Sequence, residues 1–121
     1  MSAISLFRNE RDVLDLPQGQ VIFRAGDPGD AMYAVLEGVV NIVANGTLIE
    51  QIGENGIFGE MALVDGAPRS ADAVASTAVK LARIDQERFV FVTKYNPFVS
   101  LEVLRITVER LRRQLRAPAK P

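Results

Sequence analysis

The stretch Phe58-Gly-Glu-Met-Ala-Leu-Val-Asp-Gly-Ala-Pro-Arg-Ser-Ala-Asp-Ala73 combines a glycine, a short run of helix formers, a turn and an arginine. Gly59 has no Cβ, so a ligand can approach the backbone there closely. The helix formers of residues 60–64 follow, and the unpaired N–H groups of a helix N-terminus favour an anion. The segment 65–68 is a turn, because Pro68 pushes the preceding residue toward an extended conformation and ends the helix.

Two charged side chains in this stretch suggest what the pocket binds. The guanidinium of Arg69 is a planar fork that matches two phosphate oxygens, and Ser70 adds a hydroxyl donor beside it. Glu60 has the wrong sign for an anion site, but its carboxylate would accept a hydrogen bond from a sugar hydroxyl. Together they indicate a nucleotide with a single phosphate. Alternatively, Glu60 is a helix N-terminal acid favoured by the macrodipole, and Arg69 is a solvated charge at a strand start.

The stretch resembles the phosphate-binding cassette of cyclic nucleotide-binding domains of the catabolite activator protein and protein kinase A regulatory subunit type. The resemblance rests on residues 58–63, on residues 68–71 and on the spacing from Glu60 to Arg69. It implies that Glu60 binds the ribose 2′-OH, that Arg69 binds the cyclic phosphate, and that N–H groups of Met61 and Ala62 complete the cradle. The ligand-binding residues expected on this basis are Phe58, Gly59, Glu60, Met61, Ala62, Arg69, Ser70 and Ala71.

The identity of the purine stays open at this stage. In the family, a hydroxyl residue at the place of Ser70 can bind the cyclic phosphate or face a guanine amino group. Cyclic AMP is the first choice of ligand and cyclic GMP the second. Asp72 departs from the small hydroxyl or apolar residue that relatives often carry. In an extended segment it lies opposite to Arg69, and we expect it to face solvent.

The composition limits the chemistry that this chain can perform. Its 121 residues, 48% of them apolar, fit one globular domain. The sequence contains no cysteine and no histidine, which excludes disulfides, imidazole metal sites and histidine-based acid–base catalysis. We therefore expect no metal and no catalytic residues, and an enzyme is the least favoured class.

Charge and hydropathy bear on location and partners. No apolar run approaches the ~20 residues that span a bilayer, and no signal-peptide pattern is visible, so we expect a cytoplasmic location without membrane contact. The net charge is −1, but positions 105–120 hold six basic residues and one acidic residue. Such a basic end could meet nucleic acid or a membrane surface, yet a solvated helix face explains it more simply. We expect no direct DNA binding.

Strand and turn signals surround the cassette. Short apolar runs at 13–16 and 21–23 are followed by an alternating strand that ends at Gly38, and Asn45-Gly46 is a hairpin signal between 39–43 and 47–52. Residues 71–75 and 79–84 are expected to close the structure. Such closely spaced strands indicate a sandwich or jelly-roll barrel. The resemblance, which covers roughly residues 17–113, implies a mainly β fold: an eight-stranded β-roll, or double-stranded jelly-roll barrel, with C-terminal helices.

The end of the chain predicts two helices. Asp85 is the expected N-cap of a short helix at 89–94, and Asn96-Pro97 opens a long helix over about 97–116. An a/d spacing typical of a coiled-coil seam is formed by Leu101, Leu104, Val108, Leu111 and Leu115. A second apolar stripe is formed by Val99, Val103 and Ile106. This helix is expected to be a lid over the base, a dimer seam or both; an ordinary amphipathic helix packed on its own domain is the alternative.

The expected organisation is an N-terminal arm (1–12) that docks loosely or frays, a β-roll (13–85) with its cassette at 58–73, C-terminal helices (86–116) and a tail (117–121). The short arm puts the family's usual N-terminal switching element in doubt. We predict a stand-alone cyclic nucleotide sensor that signals through its last helix to a second copy or to an unknown protein partner; a piece of a longer protein is equally compatible with the sequence. The alternative is a degenerate barrel that binds no ligand and serves as an interaction or dimerisation module.

Overall fold

The structure is a computed structural model and describes residues 3–116, with side chains from Leu6 onward. The expected tail at 117–121 lies outside the described residues.

Within the described part of the chain, eight strands form two antiparallel four-stranded sheets, which confirms the mainly β jelly-roll prediction. The first sheet has the order β1-β8-β3-β6, and the second has the order β2-β7-β4-β5. The strands are β1 (Val13–Leu16), β2 (Val21–Phe23), β3 (Ala31–Glu37), β4 (Val40–Ala44), β5 (Thr47–Ile52), β6 (Ile57–Phe58), β7 (Asp72–Ala75) and β8 (Val79–Asp85).

Strand β3 serves two hydrophobic cores at once, because successive side chains of a strand point to opposite faces. Tyr33 and Val35 belong to the core between the sheets, which also contains Phe58. Met32 and Leu36, on the other face, belong to a core that includes residues of the helices. This explains why β3 is buried along nearly its whole length and reads as an almost continuous apolar run.

Residues 3–116 also contain three α-helices: α1 (Glu60–Asp65), α2 (Gln86–Tyr95) and α3 (Pro97–Arg116). Asp85 caps α2 as predicted, and its carboxylate accepts from the backbone N–H of Arg88 at 2.8 Å. Helix α2 is longer at both ends than the sequence indicated. None of the helices in residues 3–116 is long and apolar enough to cross a membrane.

The N-terminal arm docks as a 3-10 helix at Ala3–Asn9. The side chain of Phe7 is fully buried and belongs to the same core as Val99 and Val103 of α3. Arg8 adds a hydrogen bond from its guanidinium to the backbone oxygen of Leu36, at 3.2 Å. The arm is thus part of the core that holds the last helix.

The short-range predictions agree with the structure, with one omission. Asn45 and Gly46 both have positive φ, 52° and 77°, as the hairpin between β4 and β5 requires. Strand β6 was missed, because two residues between glycines carry no periodic pattern. It matters for the site, since β6 pairs with β3 and leads directly into the cassette.

Candidate functional site

A cavity of about 400 Å³ opens beside α1. Helix α1 and the loop that follows it form one wall, β4 and β5 contribute another, and α3 contributes Arg110 and Gln114. The cavity is lined by Gly59, Glu60, Met61, Ala62, Arg69, Ser70 and Ala71, all residues that the sequence predicted. Phe58 does not line it. Its ring is buried and stacks on Tyr33 at a centroid distance of 5.2 Å, in the core between the sheets.

Gly59 allows the backbone to reach the cassette geometry. It has φ 78°, a left-handed conformation that favours glycine, and it precedes the first residue of α1. A Cβ at this position would lie 2.6 Å from Nη1 of Arg69 and 3.3 Å from the backbone oxygen of Ala31. Glycine is therefore required both for the turn and for the close approach of the arginine.

Arg69 is a buried cation beside the cavity, with 6% of its surface exposed. Its guanidinium donates to the backbone oxygens of Gly59 at 3.1 Å and Ala31 at 2.5 Å, and lies 4.1 Å above the ring of Phe23. Burial lowers the pKa of Arg69. Within residues 3–116 it has no ion-pair partner, and its Nε is buried without a hydrogen bond. A buried cation without a carboxylate is costly unless an anion joins it.

Glu60 is also buried, with 5% of its surface exposed, but it is paired. Nη1 of Arg110, on α3, donates to both carboxylate oxygens at 3.0 Å. Oγ1 of Thr107 lies 3.3 Å from one of them and 2.9 Å from the backbone oxygen of Val103, and its single hydrogen can serve one acceptor fully. A carboxylate offers about four acceptor positions, so Glu60 can still accept a further hydrogen bond.

Arg110 joins the cassette to the opposite wall of the cavity. Its Nε lies 3.0 Å and 3.2 Å from the two carboxylate oxygens of Glu50, on β5, and Nη2 donates to the backbone oxygen of Ile57. Arg113 also reaches Glu50, at 3.2 Å. The last helix is therefore held over the site by ion pairs to both walls.

Arg110 and Glu50 are not among the site residues predicted from the sequence. A signal for Arg110 was present, because the buried stripe of α3 that runs through Val103 and Ile106 continues at position 110 in the same steps of three and four. A charge on the buried face of a helix requires a partner. No comparable signal identified Glu50, because its contact spans 60 residues of sequence.

The remaining cassette residues have distinct surroundings. Ser70 is exposed and lines the cavity. Asp72 does not line it. Its carboxylate is half-buried and accepts from the backbone N–H of Ala25 at 2.7 Å, so it fastens the turn after β2. Among residues 3–116 no group of three or more histidine, cysteine, aspartate or glutamate side chains could hold a metal ion.

The family model for the cyclic nucleotide-binding domain matches residues 13–96. The chain belongs to this family. The matched region contains Glu60 and Arg69 and ends before α3, so Arg110 and Gln114 lie outside it.

Relatives of this domain occur within longer proteins of different kinds. The chain is 30% identical over 117 residues to the CRP-like cAMP-activated global transcriptional regulator of Mycobacterium tuberculosis (strain ATCC 25618 / H37Rv), covering 93% of this chain and 52% of the regulator. It is 38% identical over 92 residues to a cyclic nucleotide-gated potassium channel of Mesorhizobium japonicum, covering 76% of this chain and 25% of the channel. The chain thus spans about half the regulator and a quarter of the channel.

A solved structure from a cyclic-GMP-dependent signalling pathway that regulates bacterial phytopathogenesis has the same fold. It superposes with a TM-score of 0.79 at 28% sequence identity, over 93% of this chain and 95% of that chain.

The buried ion pair leads to a prediction about stability. We expect Arg110→Ala to lower the free energy of unfolding by about 3–5 kcal/mol, because Glu60 would stay buried without its cation. Arg113→Ala, which removes a half-exposed arginine from the same helix, should cost less than about 1 kcal/mol. Urea denaturation followed by circular dichroism measures both. Equal costs for the two variants would show that the Arg110–Glu60 pair is not a major constraint.

Proposed function

We propose that this domain binds a purine cyclic nucleotide in the cavity beneath α3, with cyclic AMP as the first choice and cyclic GMP as the second. The observation that carries the proposal is the state of Arg69. It lines the cavity, is buried, has no carboxylate partner within the described residues and keeps an unsatisfied Nε. A monoanionic phosphate would supply both the missing charge and the missing acceptor.

The roles proposed for the other residues follow from their positions. The N–H groups of Met61 and Ala62 share the phosphate with Arg69, and Glu60 accepts from the ribose 2′-OH through its remaining acceptor position. A cavity of about 400 Å³ lies within the range of small-ligand sites, roughly 300–1,000 Å³. Apolar lining residues that suit a purine base include Ile42, Ala44, Ile49 and Ile52.

The relatives support both nucleotides. The mycobacterial regulator is described as cAMP-activated, and the solved structure belongs to a cyclic-GMP-dependent pathway. We place cyclic AMP first because the regulator has the higher sequence identity to this chain, 30% against 28% for the solved structure. One relative is named as a regulator and the other comes from a signalling pathway, and on this basis we assign this chain a regulatory binding role without catalysis.

The contacts of Arg110 offer a route from ligand to helix. The proposed ribose hydroxyl and Arg110 bind the same carboxylate, that of Glu60. Ligand binding therefore changes the hydrogen bonding of the group that holds α3. A ligand shifts an equilibrium only through different affinities for two states. We propose that the two states differ in how the end of α3 sits over the cavity, and that α3 passes the signal on.

A ligand-free interaction module is the second candidate. The observation that favours it is the same Arg110–Glu60 pair, because the carboxylate expected to bind ribose already has a cation. The unpartnered state of Arg69 favours the sensor.

Helix α3 also presents a surface for a partner. Its a/d positions are exposed, while Val99 and Val103 on the other face are buried. The exposed seam residues are Leu101, Leu104, Val108, Leu111 and Leu115. We propose that two copies pair through this seam, because large apolar residues repeated at this spacing are buried in coiled coils. Arg110 and Arg113, in the basic half of α3, are paired with acids, and we assign these two no contact with DNA or membrane.

The phosphate contact is tested by calorimetry. We expect saturable binding of cyclic AMP, weakened about 100-fold in Arg69→Ala because a buried charge pair is lost. Arg69→Lys keeps the charge but not the fork and should lie between the two. Arg24→Ala, an exposed arginine that does not line the cavity, is the matched control and should bind like the unaltered chain. Absence of heat with both cyclic AMP and cyclic GMP would overturn the sensor.

The ribose contact is tested by changing the ligand, because a change at Glu60 would also disturb Arg110. We expect 2′-deoxy cyclic AMP to bind about tenfold more weakly than cyclic AMP, since it loses a hydrogen bond to a charged group. Competition against a fluorescent cyclic nucleotide measures the ratio. Equal affinities would remove Glu60 from the proposed ribose site while leaving Arg69 untouched.

The dimer is tested by light scattering. For the unaltered protein we expect twice the mass of the 13.2 kDa chain. For Leu104→Lys, which places a charge in the seam, we expect the mass of one chain. Leu48→Lys is a matched control, because Leu48 is similarly exposed (52% against 59%) but lies on β5. A single chain mass for the unaltered protein would contradict the seam and leave α3 as a lid.

A further inference from the structure

The turn of residues 24–27, which follows β2, holds both backbone polar groups of Arg69. The backbone N–H of Arg69 donates to the backbone oxygen of Asp27 at 2.8 Å, and the backbone oxygen of Arg69 accepts from the N–H of Gly26 at 2.8 Å. The position of this turn therefore determines where the side chain of the proposed phosphate-binding residue begins.

The turn is exposed, and a side chain of β7 connects it to the sheet. Pairing between β2 and β7 extends along the chain as far as Phe23 and Ala73. The carboxylate of Asp72, the first residue of β7, then accepts from the backbone N–H of Ala25 at 2.7 Å. The side chain of Asp72 thus continues the connection between β7 and the turn beyond the paired backbones.

The charge of Asp72 acts against an anion site. A carboxylate three residues after Arg69 repels a phosphate, so charge alone would make Asp72 unfavourable for binding. Its carboxylate is nevertheless half-buried, does not line the cavity and is directed to Ala25. A carboxylate also accepts a shorter and stronger hydrogen bond from an N–H group than a neutral oxygen does. Position and charge therefore predict opposite effects of this residue on ligand binding.

From these contacts we infer that Asp72 is a positioning residue for the phosphate contact: it holds the turn of residues 24–27, and the turn holds Arg69. This inference rests on the proposed function and deepens it. The guanidinium is held at its far end by the backbone oxygen of Gly59 and the ring of Phe23. The turn holds the backbone end. An arginine fixed at both ends loses little freedom when a phosphate binds, which raises its affinity.

Two substitutions separate position from charge. Asp72→Ala removes the charge and the acceptor, whereas Asp72→Asn removes the charge and keeps a side-chain oxygen that can accept from Ala25. We expect Asp72→Ala to weaken cyclic AMP binding about tenfold and Asp72→Asn to stay within about threefold of the unaltered chain, as measured by calorimetry. Asp15→Ala removes an exposed carboxylate on β1 that does not line this cavity, and this control should bind like the unaltered chain.

A double-mutant cycle distinguishes positioning from a general effect on the fold. If Asp72 acts through Arg69, Asp72→Ala should change the affinity by less than about twofold in the Arg69→Ala background, because the group that it positions is gone. A merely structural role would give the same loss in both backgrounds. NMR titration measures the weak affinities of the Arg69→Ala background, and urea denaturation confirms that each variant is folded.

The outcomes are distinct. A loss of affinity in Asp72→Ala that disappears in the Arg69→Ala background supports the inference. No loss, the same loss in both backgrounds, or tighter binding in both Asp72 variants would overturn it and leave the proposed function standing. Binding of neither cyclic AMP nor cyclic GMP to the unaltered chain would overturn the proposed function itself, and this inference with it.

Discussion

The burial of Glu60 is the constraint on which the arrangement around the cavity depends. A carboxylate with 5% of its surface exposed is costly to bury without a cation, and Arg110 supplies one from a position 50 residues further along the chain. Because Arg110 also pairs with Glu50, one guanidinium on α3 connects the cassette to β5. The shape of the cavity and the position of the last helix are therefore not independent.

What the sequence could predict depended on local chemistry. The Asn45-Gly46 turn, the cap at Asp85 and the cassette elements around Gly59 follow from residues within a few positions of one another, and the structure agrees with them. Glu60, Arg69 and Ser70, which the sequence predicted as ligand-binding residues, all line the cavity. The partner of Glu60 could not be predicted, because periodicity identifies the buried face of α3 but not the side chain that each residue contacts. Phe58 was expected at the ligand and instead fills the core.

The family match ends just before α3, between two parts of the molecule to which we assign different roles. Residues 13–96 contain the cassette, and α3 follows after them. The charged residues that we propose for phosphate and ribose belong to the part shared with the family. The residues that cover the cavity, Arg110 and Gln114, belong to the helix that follows the matched region. The contacts that we propose for the phosphate and the ribose therefore lie in one segment, and the seam that we propose for a second copy lies in another.

The docked N-terminal arm has a consequence for how α3 can move. The first half of the helix shares its core with Phe7, so Val99 and Val103 are held by apolar burial, which excluded salts such as sulfate strengthen. The second half is held by Arg110 and Arg113 through ion pairs; salt weakens the half-exposed Arg113–Glu50 pair and screens the buried Arg110–Glu60 pair much less. A salt such as sulfate therefore strengthens the packing of the first half of α3 and weakens the ion pairing of the second half. If α3 moves as we propose, the motion begins at its C-terminal end and pivots about the anchored first turns.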